Sequence, residues 1–238
     1  MSLFAAAAEI VTLDRVEIAA ESWLWPFARE RRAEIAAHFA MLQRERSGLW
    51  NGRVLLLNGY SLAEGVLRGR CFETDYASFI AWRDWDFPDR DVANIFAAAA
   101  LRSADGAYLL GEMAPQTANA GLLYFPCGTP DPTDIDAGGR LDLAGSLGRE
   151  LREETGIDIA ALEAEPSWCL VRDRGYLALI KRLTAHESAR ELRGRILRHL
   201  ADERQPELSD IRIVWRRADL DQRMPGFLRA YFDEAWPR

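Results

Sequence analysis

Hydrophobic residues recur along the chain at two spacings, one typical of helices and the other of strands. In residues 27–46, Ile35, Phe39 and Leu42 follow Pro26 at helical spacing, which predicts an amphipathic helix. Most later segments are short apolar runs bounded by glycine, proline and aspartate, as expected of strands between turns. Because the two patterns interleave, the chain is predicted to form an α/β sandwich.

The first part of the chain combines this helix with two strands and a second, shorter helix. Residues 52–60 (GRVLLLNGY) predict a strand that ends in a turn at Asn58–Gly59. Residues 62–76 predict the next strand, and residues 77–87 predict a short helix that ends before Pro88. We therefore treat residues 1–91 as an N-terminal extension, with substrate specificity or dimerisation as its expected role.

From about residue 92 the pattern changes, and residues 92–238 are predicted to form the main domain. Short strands, one long loop rich in glycine, proline and aspartate, and three helices follow one another. The predicted elements are an apolar run at 92–103, strands at 107–113 and 121–125, the loop 126–140, a helix at 143–155, strands at 167–171 and 176–183, a helix at 186–203, a strand at 211–216 and a helix at 226–236.

Composition narrows the class of protein. The chain has 238 residues, of which 49% are hydrophobic and 28% charged, as in ordinary globular proteins. No apolar run approaches the ~18 residues of a membrane span, and the first residues lack the basic segment of a signal peptide. Cys71, Cys127 and Cys169 are too few and too far apart for a disulfide framework, which fits a reducing cytoplasm. The net charge of −7 disfavours nucleic acid as a partner.

The predicted helix at 143–155 carries an unusual cluster of acids. Leucines at positions 143, 147 and 151 form one apolar stripe, while Glu150, Glu153 and Glu154 stand at i, i+3 and i+4 and are expected to converge. Acids near a helix C-terminus oppose its dipole, so the arrangement costs ~1–2 kcal/mol before compensation by Arg149 and Arg152. Two interpretations follow: a solvated, salt-bridged helix end, or a divalent metal site, because carboxylate oxygens suit Mg²⁺.

The wider motif favours the metal site. Residues 149–157 (RELREETGI) fill every fixed position in the second half of the Nudix box, R-E-U-x-E-E-x-G-U, where U is aliphatic. Upstream, LLYFPCG looks like the strand and turn that precede the box helix, with Cys127 in place of the first glycine of that turn. Over about residues 92–238 the chain resembles a Nudix hydrolase. The resemblance implies an α/β/α sandwich with a mixed central sheet, here with an α+β N-terminal extension.

The first half of the box, G-x5-E-x7-R-E, is not matched. Counting back from Arg149 places Leu141 at the glutamate position and Ile135 at the glycine position. If Gly128 is the equivalent glycine, 21 positions separate it from Arg149 where the pattern expects 14, so seven residues are inserted. Asp142 lies one step from the missing glutamate and is a candidate to replace it, although capping the helix is the expected role of this residue.

The resemblance also implies a chemistry. Glu150, Glu153 and Glu154 would bind Mg²⁺ or Mn²⁺ beside a diphosphate, and Arg149 would orient them. The expected reaction is hydrolysis of a phosphoanhydride by metal-activated water, in a nucleoside diphosphate linked to another group. Glu207 and Glu154 are alternative general bases, although a solvated loop acid is the favoured interpretation of Glu207. The alternative function is a nucleotide-binding or regulatory protein on this scaffold that has lost turnover.

The group linked to the diphosphate is left open between a nucleotide sugar and a coenzyme A type. The segments GLWNGRVLLL, CFETDYASF and PCGTPDP are similar to parts of a UDP-sugar-hydrolysing branch of the family. Other residues have more than one interpretation. Stacking on a base and core packing are the alternatives for Trp23, Trp25, Trp50, Trp82 and Trp85, and phosphate contact and a solvated hairpin are those for Arg172 and Arg174. Surface or core roles are expected for His38, His186 and His199, and metal contact or an edge-strand position for Glu112.

Overall fold

Helices cover both faces of a large mixed β-sheet in this computed structural model, which describes residues 5–46 and 48–236. The strands are β1 (Ala5–Leu13), β2 (Arg15–Ala20), β3 (Arg53–Ala63), β4 (Val66–Asp75), β5 (Asn94–Arg102), β6 (Tyr108–Met113), β7 (Leu123–Tyr124), β8 (Cys127–Gly128), β9 (Glu163–Ala164), β10 (Trp168–Arg174), β11 (Tyr176–Thr184) and β12 (Leu208–Val214). The helices are α1 (Pro26–Glu30), α2 (Arg32–Glu45), α3 (Tyr76–Asp84), α4 (Leu143–Thr155), α5 (Ala189–Asp202) and α6 (Gly226–Ala235).

The large sheet is mixed because one central pair of strands is parallel. Its order is β1-β10-β11-β5-β6-β12, with the short strands β7, β8 and β9 attached to β6, β5 and β11. β5 and β11 run parallel from Asn94 beside Tyr176 to Arg102 beside Thr184, whereas the other pairs are antiparallel. Strands buried on both faces are continuously apolar, which explains the long apolar run in β5.

The alternation of side chains along β5 divides the core into two layers. Ile95 and Ala97 belong to the apolar cluster that contains α4 and α5, while Phe96 and Ala98 belong to the cluster that contains α6. Successive residues of a strand point to opposite faces, so the helices lie on both sides of the sheet. The chain is therefore an α/β/α sandwich, as predicted.

A second, three-stranded sheet of order β2-β4-β3 is formed by the N-terminal part of the chain. Leu55 and Leu57 on one face join the core that includes α4 and α5, whereas Leu56 and Phe72 on the other face pack in a separate cluster with α1, α2 and α3. Residues 5–13, in contrast, form β1 and pair with β10 in the large sheet. Neither β1 nor β2 was predicted from the pattern of residues.

Two predictions for the N-terminal part were wrong. The helix expected over 27–46 is divided at Arg31 into α1 and α2. The turn expected at Asn58–Gly59 is a register shift inside β3, and the chain reverses instead at Glu64–Gly65, where both residues have positive φ. A residue pair that favours turns can form a bulge when both flanking strands find partners.

In the part of the chain that the structure describes, no helix is long and apolar enough to cross a membrane.

Candidate active site

Helix α4 begins and ends at the predicted residues, for local reasons. The Asp142 side chain accepts a hydrogen bond of 2.9 Å from the backbone N–H of Gly145 and caps the N-terminus. Gly156 adopts a left-handed conformation with φ of 69° and ends the helix. The leucine stripe is buried in the core, so the opposite edge of α4 is turned toward the loop that contains β8.

Two of the three helix glutamates lie against this loop. The Glu154 side chain is buried, and its Oε1 accepts a hydrogen bond of 3.3 Å from the backbone N–H of Cys127. The Glu150 carboxylate packs against Gly128, where an added Cβ would lie 2.4 Å from the carboxyl carbon of Glu150. Any side chain at position 128 would therefore force the Glu150 carboxylate to move from this place. Glu153 does not join them, because its side chain is 60% exposed.

The environment opposes ionisation of Glu150 and Glu154. Burial raises the pKa of Glu150 to about 7, a shift that Arg149 limits and Glu153 reinforces. Burial also raises the pKa of Glu154 well above its usual value, and the neighbouring Glu150 adds to this effect. Neighbouring carboxyl groups with raised pKa values are common in sites that bind a cation or transfer a proton.

Arg149 holds the acids in place. Its Nη1 donates to Glu150 at 2.7 Å and to Glu153 at 3.2 Å, while its Nη2 donates to both carboxylate oxygens of Asp134, at 3.0 and 3.2 Å. Asp134 is buried and accepts further hydrogen bonds from Ser146 Oγ and from the backbone N–H of Asp131. The network fixes the guanidinium between the helix and the preceding loop.

Asp134 is the residue that the sequence interpretation missed. Counting forward from Gly128 by the spacing G-x5-E ends at Asp134, whereas counting back from Arg149 ended at Leu141. Leu141 is a core residue, and Asp142 caps α4, so neither occupies the place of the missing glutamate beside Arg149. Counting forward from Gly128 would have identified Asp134 if the insertion had been placed after this acid and not before it.

Residues 135–141, which separate Asp134 from the start of α4, form a small hairpin. The backbone N–H of Asp142 donates to the carbonyl of Asp134 at 2.8 Å, which closes the excursion at its base. The hairpin docks on β2, where Leu141 N–H donates to Ile18 and Ala20 N–H donates to Gly139. The insertion thus connects the N-terminal sheet to the acid that anchors Arg149.

A cavity of about 970 Å³ opens beside Glu154. Glu154 and Gly128 lie in its wall, and so does Glu207, which remains exposed to solvent. The N-terminal part of the chain supplies another wall, including Trp50 and Tyr76. In volume the cavity lies at the upper end of the range of small-molecule sites.

Glu112 and the candidate tryptophans lie in different environments. Glu112 pairs with Arg223 at 2.9 Å. Trp50 lies in the wall of the cavity and is 81% exposed, so it is available for contact with a ligand. The other four candidate tryptophans pack in or against the cluster of α1, α2 and α3: Trp23, Trp25, Trp82 and Trp85.

The candidate arginines and histidines have partners away from the acids, with one exception. Arg172 is buried and pairs with Glu9, and Arg174 pairs with Asp86. Among the histidines, His199 lies near α4, with its Nε2 3.0 Å from the carbonyl of Glu153. The other two, His38 and His186, lie beside Asp84 and Glu163 respectively.

Within residues 5–46 and 48–236, no group of three or more histidine, cysteine, aspartate or glutamate side chains is arranged to hold a metal ion. This differs from the convergence of all three glutamates expected from their spacing. The Glu153 side chain is exposed to solvent, and Arg149 forms an ion pair with Glu150. The described residues bring together the buried Glu154 carboxylate, bonded to Cys127 N–H, and the partly exposed Glu150 carboxylate, which lies against Gly128.

No family model matches this sequence, and no curated protein matches it. Several solved structures match part of the fold. The Nudix hydrolase RenU from M. smegmatis has a TM-score of 0.37 and 19% identity, over 57% of this chain and 80% of that protein. The MutT protein from Methanosarcina mazei Go1 has a TM-score of 0.34 and 18% identity, over 60% and 91%. These low values transfer no residue role or activity to this chain.

Proposed function

We propose that the chain is a Nudix-type pyrophosphohydrolase that cleaves the phosphoanhydride bond of a nucleoside diphosphate linked to another group. The observation that carries this proposal is the pairing of Arg149 with Asp134 at 3.0 Å across the insertion. This pair supplies the acid that the box pattern requires in its first half, although the linear spacing is disrupted. The complete RELREETGI segment supplies the second half.

The donor set fits Mg²⁺ or Mn²⁺. Glu150 and Glu154 present hard oxygen ligands on one side of α4, and the absence of a side chain at Gly128 lets the Glu150 carboxylate lie against the backbone there. Glu153, one turn away and exposed, can add a third carboxylate by rotating its side chain. When bound, such a metal neutralises phosphate charge and lowers the pKa of an attacking water.

The residues of the chain have separable roles in this proposal. Glu150, Glu153 and Glu154 would hold the cation, which would neutralise the charge of the diphosphate. Arg149 is a positioning residue, because its bonds to Glu150 and Asp134 set where the carboxylates point. For the general base, Glu207 in the cavity wall and Glu154 itself both remain candidates.

The alternative function, nucleotide binding without hydrolysis, is also supported by an observation. Arg149 neutralises Glu150 and Glu153 without help from a cation, and the first acid of the box is the shorter aspartate. A protein with this arrangement can bind a nucleotide without turning it over. Binding without hydrolysis is therefore the outcome that separates the two functions.

The test is a screen of nucleoside diphosphate derivatives, including nucleotide sugars and coenzyme A types, with Mg²⁺. Phosphate is measured after phosphatase treatment. Glu153→Gln and Glu154→Gln are expected to lower the rate by roughly 100-fold or more, because each removes a charge that the reaction needs. Glu163→Gln is the matched control, since Glu163 is an exposed glutamate on β9.

The result that contradicts the proposal is absence of turnover for every compound by a protein that melts cooperatively. If Mg²⁺ and one such compound still raise the melting temperature together, the binding function replaces the hydrolase. Failure of Mg²⁺ to bind wild type, or equal binding by Glu154→Gln, would reject the metal site itself.

A further inference from the structure

Trp50 is unusually exposed for a tryptophan. It is 81% exposed, although it lines the same cavity as Glu154. Tryptophan is highly buried on average, because its large ring is stabilised by leaving water. Within residues 5–46 and 48–236 the Trp50 indole forms no hydrogen bond and no ring contact. The indole is therefore available to a ligand that enters the cavity.

The backbone on both sides of Trp50 is held in place, although its side chain is not covered. Before it, the carbonyl of Leu49 accepts a hydrogen bond of 3.0 Å from Gln43 Nε2, near the end of α2. After it, Asn51 Oδ1 accepts a hydrogen bond of 2.8 Å from the backbone N–H of Ala77, in the first turn of α3. A side chain carried on a fixed segment loses less conformational entropy when it binds a ligand.

The indole is also one of several aromatic side chains in the wall of this cavity. Tyr76 and Phe79 of α3 and Tyr176 of β11 line it as well. Single aromatic residues on a protein surface are common, but an exposed one in the wall of an aromatic cavity indicates a binding site. Aromatic side chains stack on every kind of base, because each base has a planar face. The base is therefore the part of a nucleotide that suits this side chain.

We propose that Trp50 is a specificity-determining residue that stacks on the base of a nucleotide bound in this cavity. The inference rests on the proposed function, from which it takes the nucleotide as the ligand. It gives the N-terminal part of the chain a role in substrate recognition. Stacking depends on the face of the ring and not on the groups at its edge, so Trp50 favours compounds with a base over compounds without one.

The test is calorimetric titration of the full chain in Mg²⁺ with UDP, with ADP and with inorganic pyrophosphate. Trp50→Ala is expected to weaken binding of the better-bound nucleoside diphosphate by about tenfold, the effect of losing one stacked ring. Binding of pyrophosphate should stay within about twofold of wild type, because pyrophosphate has no base. Trp50→Phe keeps an aromatic face and should recover part of the loss. Trp215→Ala is the matched control, since Trp215 is 50% exposed and lies outside the cavity wall.

Quenching of tryptophan fluorescence by iodide gives a second measurement that a structural role would not change. The better-bound nucleotide should protect wild type from iodide, and this protection should be lost in Trp50→Phe but kept in Trp215→Phe. Unchanged affinity of Trp50→Ala for both nucleotides, an equal loss for pyrophosphate, or wild-type protein that binds neither nucleotide would overturn the inference. So would a Trp50→Ala protein that differs from wild type only in its sedimentation, because the indole would then lie in an interface between copies of the chain.

These outcomes are separate from those of the hydrolase test. If Trp50→Ala weakens nucleotide binding selectively but wild type hydrolyses nothing, this inference is supported and the hydrolase proposal fails. If wild type hydrolyses a nucleotide derivative and Trp50→Ala binds UDP and ADP as tightly as wild type, the hydrolase proposal stands and this inference fails.

Discussion

Replacing Asp134 by asparagine should destabilise the protein as well as its active site. The Asp134 side chain is 5% exposed, and its two oxygens accept four hydrogen bonds, two of them from the Arg149 guanidinium. Asparagine keeps the shape and one carbonyl oxygen but removes the charge and turns an N–H₂ group toward donors. The variant therefore separates charge from packing.

The expected loss in the free energy of unfolding depends on the ion pairs that Arg149 retains in the variant. Removing one partner of a buried ion pair costs roughly 3–5 kcal/mol. The Arg149 side chain is 33% exposed and retains Glu150 and Glu153, so part of its charge remains compensated. We expect Asp134→Asn to lower the free energy of unfolding by about 2–3 kcal/mol.

The assay is urea denaturation followed by circular dichroism, with Asp142→Asn as the control. Asp142 stands in the same segment but only caps α4 through the N–H of Gly145, a role that asparagine fills equally well. The control should change the free energy of unfolding by less than about 0.5 kcal/mol. A loss below about 1 kcal/mol for Asp134→Asn, or a larger loss for Asp142→Asn, would refute the assignment of Asp134 as the anchor of Arg149.

Three further predictions address the same helix. Gly128→Ala places a Cβ 2.4 Å from the carboxyl carbon of Glu150, so hydrolysis of whichever nucleotide wild type turns over should fall roughly 10- to 100-fold; unchanged turnover would contradict the importance of this close packing. Burial raises the pKa of Glu150 to about 7 from the usual 4.5, so between these values this carboxyl group binds more protons in the folded metal-free protein than in the unfolded chain. Its contribution to the free energy of unfolding should fall as the pH rises from 4.5 to 7, by up to ~1.4 kcal/mol per pH unit, and urea titrations at each pH should show that Glu150→Gln lacks this contribution to the slope. Gly156→Ala and Gly139→Ala share the strain of a positive φ, but only the first Cβ meets the His199 ring, at 2.7 Å; thermal melts should show Gly156→Ala less stable by a further ~1–3 kcal/mol, and equal losses would contradict this.

Much of the candidate site could be predicted from the sequence because its signals are local. The ends of α4 depend on a capping aspartate and a left-handed glycine within the same short segment, and its buried face depends on leucines four residues apart. The acids and Arg149 lie within six consecutive residues, so their common location needed no knowledge of the fold. The apolar run of β5 likewise shows burial on both faces.

Other features depended on contacts between distant residues. Asp134 meets Arg149 because a backbone hydrogen bond closes the intervening hairpin, and linear counting from the helix does not reveal that closure. The alanine-rich β1 has no clear alternation, and it becomes a strand by pairing with β10 far along the chain. At Asn58–Gly59 the paired strands β3 and β4 continued through a sequence that favours a turn.

The sequence by itself determined the chemistry-bearing helix, its caps and its cluster of acids, because helix geometry converts short spacings directly into shared faces. Only the tertiary structure decided which acid anchors Arg149, that Glu154 is the buried one of the three helix glutamates, and that Trp50 lines the same cavity as Glu154. Those properties depend on burial and on the closure of long loops. Both arise when the N-terminal sheet, the large sheet and α4 pack together.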